Sequence, residues 1–139
     1  MIARLRDEKG ITLLEVMATS IIVAVALISI YTGIIYADKQ VQRNYHDRVA
    51  TLHASGELEW QMYHKKNYKV FDTYNSKTVL IDKLYRNAPL NGTMTTKIKE
   101  TQESVISVSV PYAIVEVSVT WTEPGDKTPR TIVVREDFY

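Results

Sequence analysis

Glu15 stands at the lip of a run of 22 residues, Val16 to Ala37, that contains no charge and no proline. An ionised carboxylate entering hydrocarbon without a partner costs roughly 2.5 to 3.5 kcal/mol on insertion scales, so the chemistry asked of Glu15 is ion pairing. The three histidines, His46, His53 and His64, project in nearly the same helical direction and invite a metal site. Spacings of seven and eleven residues set them roughly 10 Å or more apart along a helix, too far to share an ion, and no i, i+4 His pair exists. They read instead as a flank exposed to solvent or to other chains. Cysteine is absent, which excludes disulfides, thiolate metal sites and thiol nucleophiles. No Gly-rich phosphate loop, nucleophile motif or pair of acids on a firm scaffold is present, and the expectation is a protein with no enzymatic activity and no cofactor. With 17 Lys and Arg against 16 Asp and Glu, the net charge of +1 supplies no bulk field for nucleic acid.

The elements that must position Glu15 follow from the flanking pattern. At about 1.5 Å per residue the apolar run spans roughly 33 Å as a helix, against a bilayer core of about 30 Å. Ahead of it, Met1 to Gly10 carries Arg4, Arg6 and Lys9 with Asp7 and Glu8, and its basic residues favour a cytoplasmic N-terminus. The small-residue cleavage candidate, Gly10, precedes the apolar run, so cutting there removes the charged leader and leaves the helix on the mature protein, the reverse of secretory signal logic. Tyr31 and Tyr36 suit an interfacial aromatic belt, and Asp38, Lys39 and Arg43 mark the exit into water.

Gly10, Ile11, Thr12, Leu13, Leu14 and Glu15, followed by the Val-Met-Ala-Thr-Ser-Ile-Ile-Val-Ala-Val-Ala run, resemble the leader and helix start of type IV prepilins and type II secretion pseudopilins. The resemblance covers the N-terminal quarter or so of the chain. It implies that a membrane prepilin peptidase cuts after Gly10 and methylates the new amine of Ile11, and that Glu15 serves filament assembly. Ile11 stands where the family usually has phenylalanine, a position that accepts other apolar residues. On this basis the freed Ile11 ammonium lies beside a Glu15 carboxylate, of its own chain or a neighbour's. That charge-assisted hydrogen bond in low dielectric is satisfied only at the correct stagger.

Beyond Asp38 the pattern becomes one-sided. At 100° per residue Val41, Tyr45, Val49, Leu52, Gly56, Trp60 and Tyr63 fall within about 100° of arc, the width of a core-facing stripe. Arg43, Asp47, Arg48, Glu57 and Lys65 lie elsewhere and read as a solvated face. Ile11 to Tyr63 is then a single helix of 53 residues, roughly 80 Å if straight. Residues 67–103 read as an irregular connection with a short strand or turn near Thr78–Ile81, a turn at Asn91-Gly92-Thr93, a strand over Met94–Lys99 and an exit loop over Glu100–Glu103. Val105–Val110 and Tyr112–Thr122 read as strands, with Pro111 at a bend or edge. In the second, Ala113, Val115, Val117, Val119 and Trp121 share one face and Ile114, Glu116, Ser118, Thr120 and Thr122 the other. Glu123–Pro129 is a hairpin loop and Arg130–Tyr139 returns with Ile132, Val134 and Phe138 on one side.

The expected fold is α+β: a long N-terminal helix, half membrane-spanning and half amphipathic, packed on a C-terminal antiparallel sheet of three or four strands. The expected segments are a cleaved leader (1–10), a transmembrane and filament-core helix (11–37), its amphipathic continuation (38–66) and a globular head (67–139). The head, with its Val-rich strand ending in Trp before a Pro-Gly turn, looks like those of minor pilins. The resemblance as a whole implies a minor type IV pilin. It would be held in the inner membrane as a single-pass protein with its N-terminus cytoplasmic and its head outside, then moved into a cell-surface or periplasmic filament. Its implied partners are other pilin subunits in a hetero-oligomeric filament, the prepilin peptidase, the inner-membrane platform protein and the assembly ATPase. A type II secretion or competence pseudopilin is the alternative, and a membrane-anchored binding module that never polymerises is the rival from another class.

Overall fold

The structure is a computed structural model that describes residues 12–74, 76–105 and 108–139. Its elements are a helix α1 (Leu13–Tyr68), strands β1 (Lys77–Lys83), β2 (Pro89–Val105), β3 (Val108–Trp121) and β4 (Arg130–Phe138), and one 3-10 turn at Tyr85–Asn87. Two compact units divide the chain after Val41.

In the first unit the helix begins at Thr12. Its hydroxyl oxygen accepts from the Glu15 N–H at 3.2 Å, and its carbonyl accepts from the N–H groups of Glu15 and Val16, so the Glu15 N–H, one of the orphan donors of the first turn, is met. Glu15 adds a negative side chain in that first turn, where the helix dipole favours one. The hydroxyls of Thr19, Ser20, Ser29 and Thr32 each donate back to a carbonyl three or four residues earlier at 2.8–3.0 Å. Each serine and threonine hydroxyl in the apolar run is thus satisfied within the helix, the condition hydrocarbon imposes. The helix is long and apolar enough to cross a membrane, and its apolar side chains here are exposed on the single chain.

The second unit is an α+β head in which α1, from Gln42, packs on a four-stranded antiparallel sheet of order β1-β2-β3-β4. The expected parity of β3 is observed: Ala113, Val115, Val117, Val119 and Trp121 are buried, and the alternate residues are half-exposed. Their partners in the core are Val79, Ile81, Leu90 and Met94 from β1 and β2, and Ala50, Ala54 and Leu58 from the helix. Ile132, Val134 and Phe138 of β4 pack against this core as expected.

The helix meets the sheet with a different face from the one its apolar pattern predicts. Leu52 is 72% exposed and Tyr45, Trp60 and Tyr63 about half exposed, whereas His46, Ala50, Ala54, Glu57, Leu58 and Gln61 are buried. At 100° per residue the centres of the two stripes lie about 150° apart. The physical reason is the size of the residues. Ala50 and Ala54, both fully buried, bring the helix backbone close to the Val-rich face, where Leu52 or Trp60 would hold it away. Among the residues read as a solvated face, Glu57 is buried and Arg43 and Asp47 are half-buried.

Two further expectations are corrected in β2. Asn91-Gly92-Thr93 is no turn and Glu100–Glu103 no exit loop, because one strand of 17 residues runs through both. Gly92 serves close packing instead: a Cβ there would stand 3.2 Å from Ile81 Cδ1 and Cγ1 and 3.3 Å from the Thr120 carbonyl oxygen. The reversal between β1 and β2 lies earlier, at Leu84–Ala88, closed by the Leu84 N–H on the Ala88 carbonyl with Asn87 at φ 59°. Pro111 lies inside β3 without breaking it. β4 accompanies β3 only from Ala113 onward, so at Pro111 the strand is an edge on that side, the place a proline tolerates in a sheet. The β3–β4 loop turns at Glu123-Pro124-Gly125-Asp126, with the Asp126 N–H on the Glu123 carbonyl at 3.0 Å and Gly125 at φ 87°, the geometry of a type II turn.

Candidate functional site

Gly10 and Ile11, the expected cleavage pair and methylation position, lie outside the described residues. Glu15 sits in the first turn of α1 with its residue exposed, its N–H held by Thr12. Thr12 and Glu15 have the spacing of a capping box, and the hydroxyl half of that box is formed. Glu15 therefore occupies a place where a carboxylate suits the helix terminus.

Three helix side chains, Arg43, His46 and Asp47, pair with groups of the sheet and its β3–β4 turn at the start of the head. His46, 3% exposed, places Nδ1 at 2.9 and 3.0 Å from the two carboxylate oxygens of Glu123, and Nε2 at 3.1 Å from Asp82 Oδ2. Glu123 is itself buried and also accepts the indole N–H of Trp121 at 2.9 Å. On one side Arg43 donates to both carboxylate oxygens of Asp126 at 2.8 and 3.0 Å, and on the other Arg130 does the same to Asp47. The Pro-Gly turn positions Glu123 and Asp126 at its two corners, and the end of β1 supplies Asp82.

A second polar cluster lies nearer the end of the helix. Gln61 is fully buried, donates to Glu57 Oε1 and to the Asp72 carbonyl at 2.8 Å, and accepts the Asp72 N–H at 3.0 Å. Its amide pairs with the backbone of the α1–β1 connection as a neighbouring strand would. Trp60 donates its indole N–H to Asp72, and Lys77 stands 3.6 Å from Glu57. Tyr74, hydrogen-bonded to Thr96 at 2.8 Å, has its phenol raised above the ordinary tyrosine range by burial, with the nearby Glu57 and Asp72 carboxylates adding to the effect.

The histidines are used singly, and the reading of all three as an exposed flank is corrected. His46 is buried between two acids, while His53 and His64 each reach a backbone carbonyl, of Leu80 and Val70, at 3.0 Å. Among the described residues no group of three or more His, Asp or Glu side chains is arranged to hold a metal, and every buried side-chain polar atom has a partner. These arrangements fasten elements together, and none pairs a nucleophile with a base. Sequence reasoning missed Glu123, Asp82 and Gln61. The signal was the spacing His46, Ala50, Ala54, Leu58: a histidine, two small residues and a leucine every fourth position, with a glutamate directly before a Pro-Gly turn to meet the first of them. Compared with protein-family models, with curated proteins and with solved structures, the chain finds no match.

Proposed function

We propose that this chain is a minor type IV pilin, a filament subunit held in the inner membrane by the apolar part of its helix and assembled through Glu15. The observation that carries the reading is the junction itself. A charged leader ends at Gly10, and Glu15 stands in the first turn of a helix whose next 22 residues carry no charge. After cleavage the Ile11 ammonium and the Glu15 carboxylate are the two charges at that end of the helix, and each removes the other's cost in hydrocarbon. Pairing between neighbouring subunits then sets their stagger. Support also comes from the α+β head and from the apolar stripe of Tyr45, Leu52, Trp60 and Tyr63 that the head leaves open to other subunits. The prepilin peptidase, platform protein and assembly ATPase are the partners this reading requires, and a type II secretion or competence pseudopilin would use the same junction in the same way.

Intact-mass measurement of the chain purified from membranes of cells that contain a prepilin peptidase tests the first step. Loss of Met1 to Gly10 with one added methyl group is expected, and an uncut N-terminus overturns the assignment. Glu15→Ala is expected to be processed and inserted normally yet to enter filaments at a small fraction of the wild-type level. Full incorporation removes the pairing mechanism, and processing without any filament from the wild-type chain favours the anchored binding module.

A further inference from the structure

We infer that residues 43–47 of α1 and the β3–β4 turn form an ionic clasp that opens and closes while the apolar core of the head stays packed. The inference does not rest on the filament reading. Between Gln42 and Val49 no apolar side chain of the helix is buried, and the first core residue is Ala50. The side chains of this turn that meet the sheet side are polar: Arg43 on Asp126, His46 on Glu123 and Asp82, and Asp47 on Arg130. Acidic and basic side chains occur on each side, so these pairs accept one alignment of helix and turn and reject neighbouring ones. The two arginine pairs are about a third exposed at the side chain, which puts them within reach of screening by salt and of competing ions. The histidine pair is sealed beneath them. The Pro124-Gly125 turn carries Glu123 and Asp126 on one short segment, so the two acids leave and retake their seats together, and the bond from the Trp121 indole N–H to Glu123 breaks and reforms with them.

The absence of cysteine from the chain allows spin labels to be placed without background. In full-length protein in detergent micelles, one label pair at Asn44→Cys and Lys127→Cys spans the clasp. A control pair at Glu59→Cys and Lys97→Cys spans the packed part of the head, and all four positions are exposed. Pulsed electron-spin distance measurements on the first pair are expected to show one short distance at low salt. A second, longer population should grow as NaCl is raised to about 1 M. Asp126→Arg should shift the open-to-closed ratio by about tenfold toward open at low salt, since it removes a two-bond pair and sets like charges together. Arg43→Asp combined with Asp126→Arg should restore the short distance. The control pair should hold one distance throughout. A single distance across the clasp at every salt concentration and in Asp126→Arg overturns the proposal. So does a control pair that changes in step with the first, because the helix would then leave the sheet as a whole, and so does a swap that fails to restore closure. The salt series uses the labelled wild-type surface and decides the question even where Asp126→Arg fails to fold.

Discussion

Ala54→Leu and Leu52→Ala together test which face of the helix the head uses. Ala54 is fully buried against the core, and leucine there inserts three further carbons where the helix backbone approaches the Val-rich face of β3. Overpacking of this kind costs about 2 kcal/mol, within a range of roughly 1 to 3. With a urea m-value of about 1.5 kcal/mol/M, the unfolding midpoint falls by about 1.3 M. Leu52 is 72% exposed, so truncating it removes little buried surface, and a change within about 0.5 kcal/mol is expected, near 0.3 M in midpoint. The assay is urea unfolding of the full-length protein in detergent, followed by tryptophan fluorescence; Trp121 is 2% exposed and lies in the same core. An apolar stripe at the interface would reverse the ranking: Leu52→Ala would lose the roughly 2 to 5 kcal/mol of a core leucine, and Ala54→Leu would be silent. That outcome would refute the packing described for the head.

Gly92→Ala should destabilise the head by about 1 kcal/mol, because the new methyl group meets Ile81 carbons at 3.2 Å, and Ile81→Val, which removes Cδ1, should recover part of the loss in the double variant when both are compared by urea midpoint. Tyr74 ionises above the ordinary tyrosine range because burial disfavours its phenolate. Its contribution to stability is therefore complete below the unfolded-state value near 10 and is lost as pH rises through the higher folded value. The difference in phenolate absorbance between wild type and Tyr74→Phe should show one late-titrating phenol, and the two proteins should differ less in stability at strongly alkaline pH than near neutrality. A Tyr74 that titrates with the exposed tyrosines would contradict its placement.

Strand parity was legible in the sequence because β3 alternates apolar and polar residues without interruption, and the Pro-Gly turn because it admits few other geometries. The helix was legible in extent but not in orientation. A stripe of Val, Tyr, Leu and Trp outweighs Ala50 and Ala54 on any scale of apolarity, although close approach to a sheet favours the smaller residues. Buried His46 and Gln61 could not be recognised from the helix alone, because the partners of His46, Glu123 and Asp82, lie 77 and 36 residues away and that of Gln61, Asp72, lies 11 away. Gly92 misled for a related reason: Asn-Gly signals a turn locally, and only the Ile81 side chain on the neighbouring strand explains a glycine there. For the candidate site, the fastening of the head was not legible in residue types, because it joins side chains far apart in the chain.

The order β1-β2-β3-β4 bears on how the head is made. Each strand pairs with the one synthesised just before it, so no strand waits for a distant partner and each loop to be closed is short. The helix that covers the sheet is complete before the first strand exists. The sheet can therefore grow hairpin by hairpin in the order of synthesis, its apolar side laid down against a surface already present, and little of that side need be left open to other chains on the way.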